Sequence, residues 1–414
     1  VPYQKLQKRG LSESQIMDSL RVPHQTRIFT WQGERDTVMS SLDSILYHFG
    51  ILQCGMLAMD GHTGAILAWV GGPDYKYFKY DHVLSARQVG STIKPLVYAT
   101  AIEQGVDPCD YYGNDSIVYP DYDNWVPRNA DNRYGGYYSV QGALVNSVNT
   151  VSVQLLMDAG IANTMLYLQH AGITATLPEV PSLALGSAEI PLYQMVKAYS
   201  VFLNGGRVRD PKFLLRISDA EGNVIYEHPR TVAGEAVFSE STVQTMQALL
   251  SGVTERGTAA SLRSRYGLYG ELAGKTGTTQ NQTDGWFMGL TPEIIVGVWV
   301  GGDSPLVRFR SLSTGQGGRT ALPVFARFMQ KMQRNRNTVQ FTRGSFNIPQ
   351  GIYARLACAD FKESRGIFDF LRREPEQRER PERQVTRKVQ KKEEQETKVG
   401  RFFRKVFGKK DKKK

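Results

Sequence analysis

A serine and a lysine three positions apart, Ser91 and Lys94, are suited to nucleophilic chemistry. Residues 96–104 have helical periodicity and stop before Gly105, and Ser91 is a suitable N-cap, so we predict a helix that begins at Ser91. Side chains three apart share one helix face, about 5–6 Å apart at Cβ. A lysine amine so placed can act as the base for a serine hydroxyl. An isolated S-x-x-K pattern also arises about once or twice by chance in a chain this long, as a capping serine near a surface lysine.

Two further polar patterns follow the first. Residues 275–278 read Lys-Thr-Gly-Thr on a predicted strand, where an exposed lysine and hydroxyls beside a glycine are suited to hold a carboxylate. Taken alone, a polar edge strand explains this pattern better. Ser147 and Asn149 form an S-x-N pattern, which recurs at 345–347. Only the copy at Ser147 lies between the other two motifs, so the order along the chain selects it.

Strands and helices must bring these three segments together. Two strand patterns joined by a turn precede a helical region, and three more follow it. The predicted strands are 54–60, 65–70, 272–278, 285–290 and 294–300, and the predicted helical regions are 141–157, 160–204, 239–253 and 320–332. Strands contributed from both ends of a domain, with helices between, predict an α+β fold with a five-stranded antiparallel sheet.

The chain divides into four parts by pattern. Residues 1–50 read as a linker with short helices that begin after Ser12 and Ser40. The main domain spans 51–335, and it includes a loop-rich stretch at 106–140 and a short hairpin at 211–227. Residues 336–362 form an extension of that domain. We predict that 363–414 is a basic, disordered tail.

Composition excludes several classes of protein. The net charge is +11, but residues 371–414 hold 18 Lys and Arg against 8 Asp and Glu, so the rest of the chain is almost neutral and no specific nucleic-acid partner is expected. The cysteines Cys54, Cys109 and Cys358 suggest neither a disulfide framework nor a zinc site. The six histidines form no ligand pattern, and we expect neither metal nor cofactor. The longest apolar run, 294–300, is far shorter than the roughly 20 residues that span a bilayer.

The three motifs in this order resemble those of penicillin-binding proteins and serine β-lactamases. The resemblance covers residues 50–335 and is most similar to class A penicillin-binding proteins, in which 20–50 would be the linker before this domain. It is carried by the segments at 87–95, 143–150, 183–186, 252–259 and 273–279. The membrane anchor and glycosyltransferase half of that family are absent, and the chain begins at Val1 without a signal peptide. We therefore expect a piece of a longer protein, with 1–50 the remnant of its connection to an N-terminal half.

The resemblance implies the fold and a role for each residue. The fold would be that of penicillin-binding transpeptidases and β-lactamases, with helices on both faces of the sheet and an all-helical subdomain. Ser91 would attack a D-Ala-D-Ala stem peptide and release D-Ala, with Lys94 as its base. Ser147 would relay a proton to the leaving amine, and Asn149 would bind the substrate backbone. The carboxylate would be held by Lys275, Thr276, Gly277 and Thr278, and the backbone N–H groups of Ser91 and Thr278 would form the oxyanion hole.

Two departures favour a transpeptidase over a β-lactamase. The second motif reads Ser-Val-Asn rather than Ser-Asp-Asn, and no E-x-x-L-N segment supplies a carboxylate for a deacylating water. A β-lactamase and an acylated β-lactam sensor without cross-linking activity remain the alternatives. A third alternative makes the basic tail a nucleic-acid or membrane-surface module, although its interspersed glutamates favour a solvated tail.

The resemblance also implies partners and a location. Peptidoglycan stem peptides and β-lactams would bind covalently, and cell-wall synthesis proteins would be further partners. A missing N-terminal anchor would attach the protein to the membrane. Its place would be the bacterial cell envelope, on the outer, periplasmic face of the cytoplasmic membrane.

Overall fold

The computed structural model describes residues 2–229 and 234–363, so the predicted basic tail lies outside the described residues apart from Glu363. The described helices are α1 (Pro2–Lys8), α2 (Glu13–Arg21), α3 (Ser41–Phe49), α4 (Lys94–Glu103), α5 (Val140–Asn146), α6 (Asn149–Ala159), α7 (Ile161–His170), α8 (Leu192–Tyr199), α9 (Glu240–Glu255), α10 (Ser261–Ser264), α11 (Leu312–Gly315), α12 (Ala321–Arg334) and α13 (Gln350–Arg355). The described strands are β1 (Pro23–Thr30), β2 (Gly33–Ser40), β3 (Gln53–Asp60), β4 (Ile66–Val70), β5 (Ala86–Gln88), β6 (Tyr111–Gly113), β7 (Tyr137–Ser139), β8 (Glu189–Pro191), β9 (Arg216–Ser218), β10 (Val224–Glu227), β11 (Ala273–Thr278), β12 (Asp284–Leu290), β13 (Ile294–Gly301) and β14 (Phe361–Lys362).

The predicted five-stranded antiparallel sheet is confirmed, in the order β11-β12-β13-β3-β4. Every residue of β12 and β13 is buried, which explains their continuous apolar sequences. Alternate side chains enter two separate cores, because successive residues of a strand point to opposite faces. Met288 packs in the core shared with α4 and α8, whereas Phe287 packs in the core shared with α12.

Two glycines let helices approach both faces of this sheet. A Cβ on Gly297 would lie 2.6 Å from Leu192 of α8, and one on Gly289 would lie 2.4 Å from the ring of Phe325 of α12. Phe325 also packs on Phe287, with 4.8 Å between the ring centroids. The sheet is therefore covered on both sides, as predicted.

The first fifty residues contain both predicted helices and a hairpin that was not predicted. Ser12 caps α2 in a capping box with Gln15, and Ser40 caps α3. Between them, β1 and β2 pair over eight residues each. Most of their side chains are exposed, so no alternation of apolar and polar residues marked them as strands.

Three other predictions were wrong in part. The helix predicted over 141–157 is two helices, α5 and α6, and the region 160–204 includes a 3₁₀ turn at Pro181–Leu185 and the short strand β8. Cys109 and Cys358, which suggested no disulfide by their spacing, form one across 249 residues of sequence. That pairing depends on the fold, because β6, β7 and β14 form one small sheet beside it.

None of the described helices is by itself long and apolar enough to cross a membrane. Only together do α6 and α7 reach such a length and apolar composition, and a bend of 90° separates them.

Candidate active site

Ser91 lies in a 3₁₀ turn, Gly90–Ile93, that runs directly into α4. It is therefore not the N-cap that we predicted, and no side chain among the described residues caps the turn. The turn begins one residue earlier than predicted, at Gly90, whose φ of +54° is readily adopted only by glycine. A 3₁₀ turn has three residues per turn, so Ser91 and Lys94 still lie on the same side of it.

Close backbone packing places this turn against the Lys-Thr-Gly-Thr strand. A Cβ on Gly90 would lie 2.7 Å from the carbonyl oxygen and 3.1 Å from the nitrogen of Thr278. A Cβ on Gly277 would lie 2.8 Å from a methyl carbon of Thr92 and 2.9 Å from the carbonyl oxygen of Val89. The first and third motifs are thus in contact, and the backbones of the two predicted oxyanion-hole residues, Ser91 and Thr278, are close neighbours.

The second motif occupies the break between α5 and α6. Ser147 adopts the left-handed conformation, with φ of 60°, and ends α5, while Asn149 begins α6. The Nζ atom of Lys94 lies 2.8 Å from the carbonyl oxygen of Ser147, 3.4 Å from its Oγ and 2.7 Å from Oδ1 of Asn149. In the described part of the chain, these hydrogen bonds of Lys94 run to the second motif rather than to Ser91.

Lys275 reaches the same serine from β11. Its Nζ donates to Oγ of Ser147 at 2.8 Å and to the carbonyl oxygen of Thr276 at 3.2 Å. We predicted an exposed lysine, but Lys275 is fully buried, as is Lys94. Its strand pairs with β12 on one edge and packs against the Ser91 turn and α9, which together exclude water.

Burial changes the proton affinity of both amines. It lowers the pKa of Lys94 well below the ordinary lysine value, and the charge of Lys275 lowers it further. Burial also lowers the pKa of Lys275 to about 7. A neutral amine has two hydrogens, which match the two short contacts of Lys94 to Ser147 O and Asn149 Oδ1. Its lone pair is then free to accept a proton.

The threonines of the third motif have partners that sequence reasoning missed. Oγ1 of Thr276 lies 2.7 Å from Oγ1 of Thr258, and Oγ1 of Thr278 accepts a 3.0 Å hydrogen bond from the backbone of Gly317. Gly317 packs directly on the backbone of Gly277, where a Cβ would meet its carbonyl oxygen at 2.2 Å. Thr258 falls in the segment 252–259, whose resemblance to the family was the one available signal.

A buried asparagine in the 106–140 loop supports Asn149. Oδ1 of Asn129 accepts from the backbone nitrogens of Asn149 at 2.9 Å and Thr150 at 3.3 Å, so it caps α6 in place of Val148. Nδ2 of Asn149 donates to the carbonyl oxygen of Arg128 at 2.7 Å. The loop therefore frames the site, as such loops often do, but periodicity gave no sign of Asn129. The substrate contact predicted for Asn149 stays a prediction.

The described residues contain no group of three or more His, Cys, Asp or Glu side chains arranged to hold a metal ion. The polar groups that converge here are amines, hydroxyls and amides. Such a set is suited to acyl transfer, with a hydroxyl nucleophile, a neutral amine as base and backbone donors beside it.

The chain is similar to known penicillin-binding proteins. The family model described as the penicillin binding protein transpeptidase domain matches residues 54–330, and that of the penicillin-binding protein middle domain matches 2–52. Penicillin-binding protein 1A of Neisseria lactamica is 34% identical over 291 residues, which are 68% of this chain and 36% of that protein. The protein of the same name from Rickettsia conorii is 30% identical over 311 residues, covering 69% and 39%.

Solved structures share the fold. Penicillin-binding protein 1A from Haemophilus influenzae matches with a TM-score of 0.64 and 24% identity, over 76% of this chain and 50% of that one. PonA1 from Mycobacterium tuberculosis in complex with penicillin V matches with a TM-score of 0.59 and 19% identity, over 84% and 93%. This chain spans little more than a third of the length of the curated relatives named above. With a transpeptidase model matched over most of its length, the chain belongs to the penicillin-binding protein transpeptidase family.

Proposed function

We propose that this chain is a peptidoglycan D,D-transpeptidase that forms an acyl-enzyme on Ser91. The observation that carries the proposal is the convergence of two buried lysines, Lys94 and Lys275, on the hydroxyl of Ser147. Burial lowers the pKa of both amines, Lys94 has a free lone pair, and both lysines stand beside the turn that bears Ser91. The family membership supports the same conclusion.

Acylation begins with proton transfer from Oγ of Ser91 to the neutral Nζ of Lys94. Oγ then bonds to the carbonyl carbon of the penultimate D-Ala, and the resulting oxyanion is stabilised by the backbone N–H groups of Ser91 and Thr278. The bond from that carbon to the terminal D-Ala nitrogen breaks. The nitrogen takes a proton from Oγ of Ser147, which is replenished from the lysine ammonium, and D-Ala leaves.

The acyl group is then transferred to an amine. An acceptor amine from a second stem peptide attacks the ester carbon, loses a proton to the same relay and restores the hydroxyl of Ser91. A β-lactam enters by the same attack, but its ring opens without a leaving fragment and the ester persists.

Thr276 and Thr278 are proposed to bind the terminal carboxylate. Their hydroxyls lie on the strand next to the Ser91 turn, with Gly277 leaving room for the close approach. Lys275 attracts the carboxylate through its charge rather than through a direct hydrogen bond, since its amine is bonded to Ser147. With Asn149 already bonded to Lys94 through Oδ1, its second amide hydrogen is the group left for the substrate backbone.

A hydrolytic β-lactamase is less well supported. Deacylation requires a base that activates water on the ester. In the described residues, Lys94 and Lys275 bond to hydroxyl, carbonyl and amide oxygens, and no carboxylate contacts either amine. The middle residue of the second motif is Val148, where a carboxylate would stand in Ser-Asp-Asn. The acyl-enzyme therefore waits for an amine.

The larger protein is proposed to act in the bacterial cell envelope, on the outer, periplasmic face of the cytoplasmic membrane. Residues 51–335 are the proposed transpeptidase domain, 336–362 its extension and 363–414 a basic tail. Residues 1–50 are proposed to connect it to an N-terminal half with a membrane anchor and glycosyltransferase activity. Cell-wall synthesis proteins are proposed as further partners.

A donor–acceptor assay with synthetic stem peptides tests the proposal. A donor that ends in D-Ala-D-Ala and an amine-bearing acceptor should give free D-Ala and a cross-linked product. A sensor would become acylated by penicillin without any cross-linked product, and a β-lactamase would hydrolyse penicillin with multiple turnovers. Either result would overturn the assignment as a transpeptidase.

A further inference from the structure

The last described segment of the chain lies beyond residues 54–330, the region matched by the transpeptidase family model. We call residues 350–362 the C-terminal strap; it comprises α13 and β14. The strap is joined to the 106–140 loop by the disulfide between Cys358 and Cys109. The hydroxyl of Tyr111 also donates to the carbonyl oxygen of Ala359 at 2.8 Å.

The strap runs across the first turn of α5. The side-chain amide of Gln141 donates to two strap carbonyl oxygens, at 3.0 Å to Leu356 and 2.7 Å to Cys358. The backbone nitrogen of Ser139 donates to the carbonyl oxygen of Asp360 at 3.1 Å. A Cβ on Gly142 would lie 2.1 Å from that same oxygen, so only glycine lets the strap sit this close to the helix.

Two more attachments hold the strap, one to the end of α9 and one to β7. Arg256, at the end of α9, donates to both carboxylate oxygens of Asp360, at 3.0 and 3.1 Å. Strand β14 pairs with β7, which leads directly into α5. The strap is therefore attached to the loop, to α9 and to the strand and helix that precede Ser147.

The other end of α5 lies in the proposed catalytic centre. The helix has seven residues, roughly 10 Å, and ends at Ser147, whose carbonyl oxygen and hydroxyl bind the two buried lysines. A helix of two turns moves as a unit, so a shift at Gln141 displaces Ser147. Its last turn is largely buried against α9, and the Thr258 nitrogen donates to the carbonyl oxygen of Val145 at 3.3 Å, so the strap holds the first turn while other parts of the chain hold the last.

We propose that the C-terminal strap, fastened by the Cys109–Cys358 disulfide, is a positioning element that holds α5 so that Ser147 stays within hydrogen-bond distance of Lys94 and Lys275. The proposal rests on the proposed function of Ser91 and Lys94. Loosening the strap admits water beside Lys94, whose charge is opposed by burial and by the facing Lys275. The proton affinity of Lys94 then rises, and the base is neutral only at higher pH.

The test measures the second-order rate of acylation by a fluorescent penicillin as a function of pH, with the full chain. Cys109→Ser combined with Cys358→Ser should lower the rate about 10- to 100-fold, the usual cost of a small misplacement. The acidic limb of the pH profile should move upward by at least about one pH unit. Arg256→Gln, which keeps the disulfide, should shift the limb in the same direction by less.

Two matched variants serve as controls. Cys54→Ser removes a free thiol. Arg27→Gln removes a similar two-point arginine–aspartate pair, with Asp36, from the β1–β2 hairpin. Both should keep the rate and the limb of the wild type. A structural role alone would lower the melting temperature without moving the limb.

Three results overturn the proposal. One is a folded double-cysteine variant with the wild-type rate and an unmoved limb. If that variant does not fold, the second is an Arg256→Gln variant whose acidic limb lies at the same pH as that of the wild type. The third is alkylation of the denatured, non-reduced wild type at three thiols rather than at Cys54 alone. Failure of the wild type itself to acylate would count against the proposed function, not against the strap.

Discussion

The amine of Lys275 donates a 2.8 Å hydrogen bond to the hydroxyl of Ser147, and so joins the third motif to the second. The Ser91 turn and α9 cover β11 and shield Lys275 fully from water, whereas Ser147 is partly buried. The lysine is therefore part of the interior of the site, where its proton affinity depends on burial. That dependence links the chemistry of the site to the stability of the fold.

Lys275 should make the free energy of unfolding depend on pH. Its pKa is about 7 when folded and returns to its ordinary value near 10.5 when unfolded. Between these two pH values the unfolded chain binds up to about one proton more than the folded chain. The free energy of unfolding therefore rises with pH across this range. Below pH 7 Lys275 contributes no slope, because its amine is protonated in both the folded and the unfolded states. Lys275→Met should lose this part of the slope, as measured by denaturant titrations from pH 7 to 10.

The control for this measurement is Lys79→Met, which removes an exposed lysine. It should keep the slope of the wild type. Equal slopes in Lys275→Met and the wild type would mean that the buried amine does not titrate in this window.

Lys94 should set the acidic limb of acylation. Its lowered pKa keeps the amine neutral at pH values where an exposed lysine is charged, so the rate should rise with pH through a value well below about 10.4. Lys94→Ala should slow acylation by roughly 10²–10⁴-fold, the usual contribution of a positioned base. The limb should disappear in that variant. An acidic limb of the same shape in Lys94→Ala would mean that a group other than Lys94 titrates there.

The contact between Gly90 and Thr278 should be essential for the position of Ser91. Gly90→Ala puts a Cβ 2.7 Å from a backbone oxygen and also strains a residue with φ of +54°. Gly135 has a φ of +89°, and a Cβ added there would meet no atom of the described residues within 4 Å, so Gly135→Ala imposes strain alone. Both should lose about 1–3 kcal/mol of stability from strain. Only Gly90→Ala should lose acylation, by about 100-fold.

Melting temperatures and penicillin acylation rates of the two variants give the comparison. Similar acylation rates in both would show that the Ser91 turn does not depend on its packing against β11.

Much of this architecture could be predicted because its signals are local. The capping residues Ser12 and Ser40 predicted the helices that follow them, and the apolar runs of β12 and β13 predicted buried strands. The order of the three motifs selected Ser147, which lies beside Lys94 and Lys275 in the structure. Where a residue's conformation follows from its immediate neighbours in sequence, the sequence was informative.

The features that sequence reasoning missed depend on distant neighbours. Lys275 is buried only because the Ser91 turn and α9 cover its strand. Ser147 breaks a helical pattern because its carbonyl oxygen and hydroxyl are bound by lysines far along the chain. The pairing of Cys109 with Cys358 requires the C-terminal strap to return to the 106–140 loop.

Asn129 should support the site from the loop. Asn129→Ala removes the acceptor of two backbone N–H groups at the start of α6 and the donor to Asn114. Buried groups left unpaired should lower stability by about 1–3 kcal/mol. The acylation rate should fall about tenfold or more, because Asn149 then holds Lys94 less firmly. Asn163→Ala, which removes one hydrogen bond on α7, should leave the rate unchanged. A folded Asn129→Ala protein with the wild-type rate would contradict this role.

The most direct test of the account is the intact mass of Ser91→Ala after incubation with a penicillin. The substitution removes one half-buried hydroxyl that makes no capping bond, so the protein should fold with nearly the stability of the wild type. The wild type should gain the mass of one bound penicillin, and Lys94→Ala should gain it slowly. Ser91→Ala should gain none, because the atom that forms the ester is gone. A penicillin adduct on folded Ser91→Ala would place the nucleophile elsewhere and contradict the account.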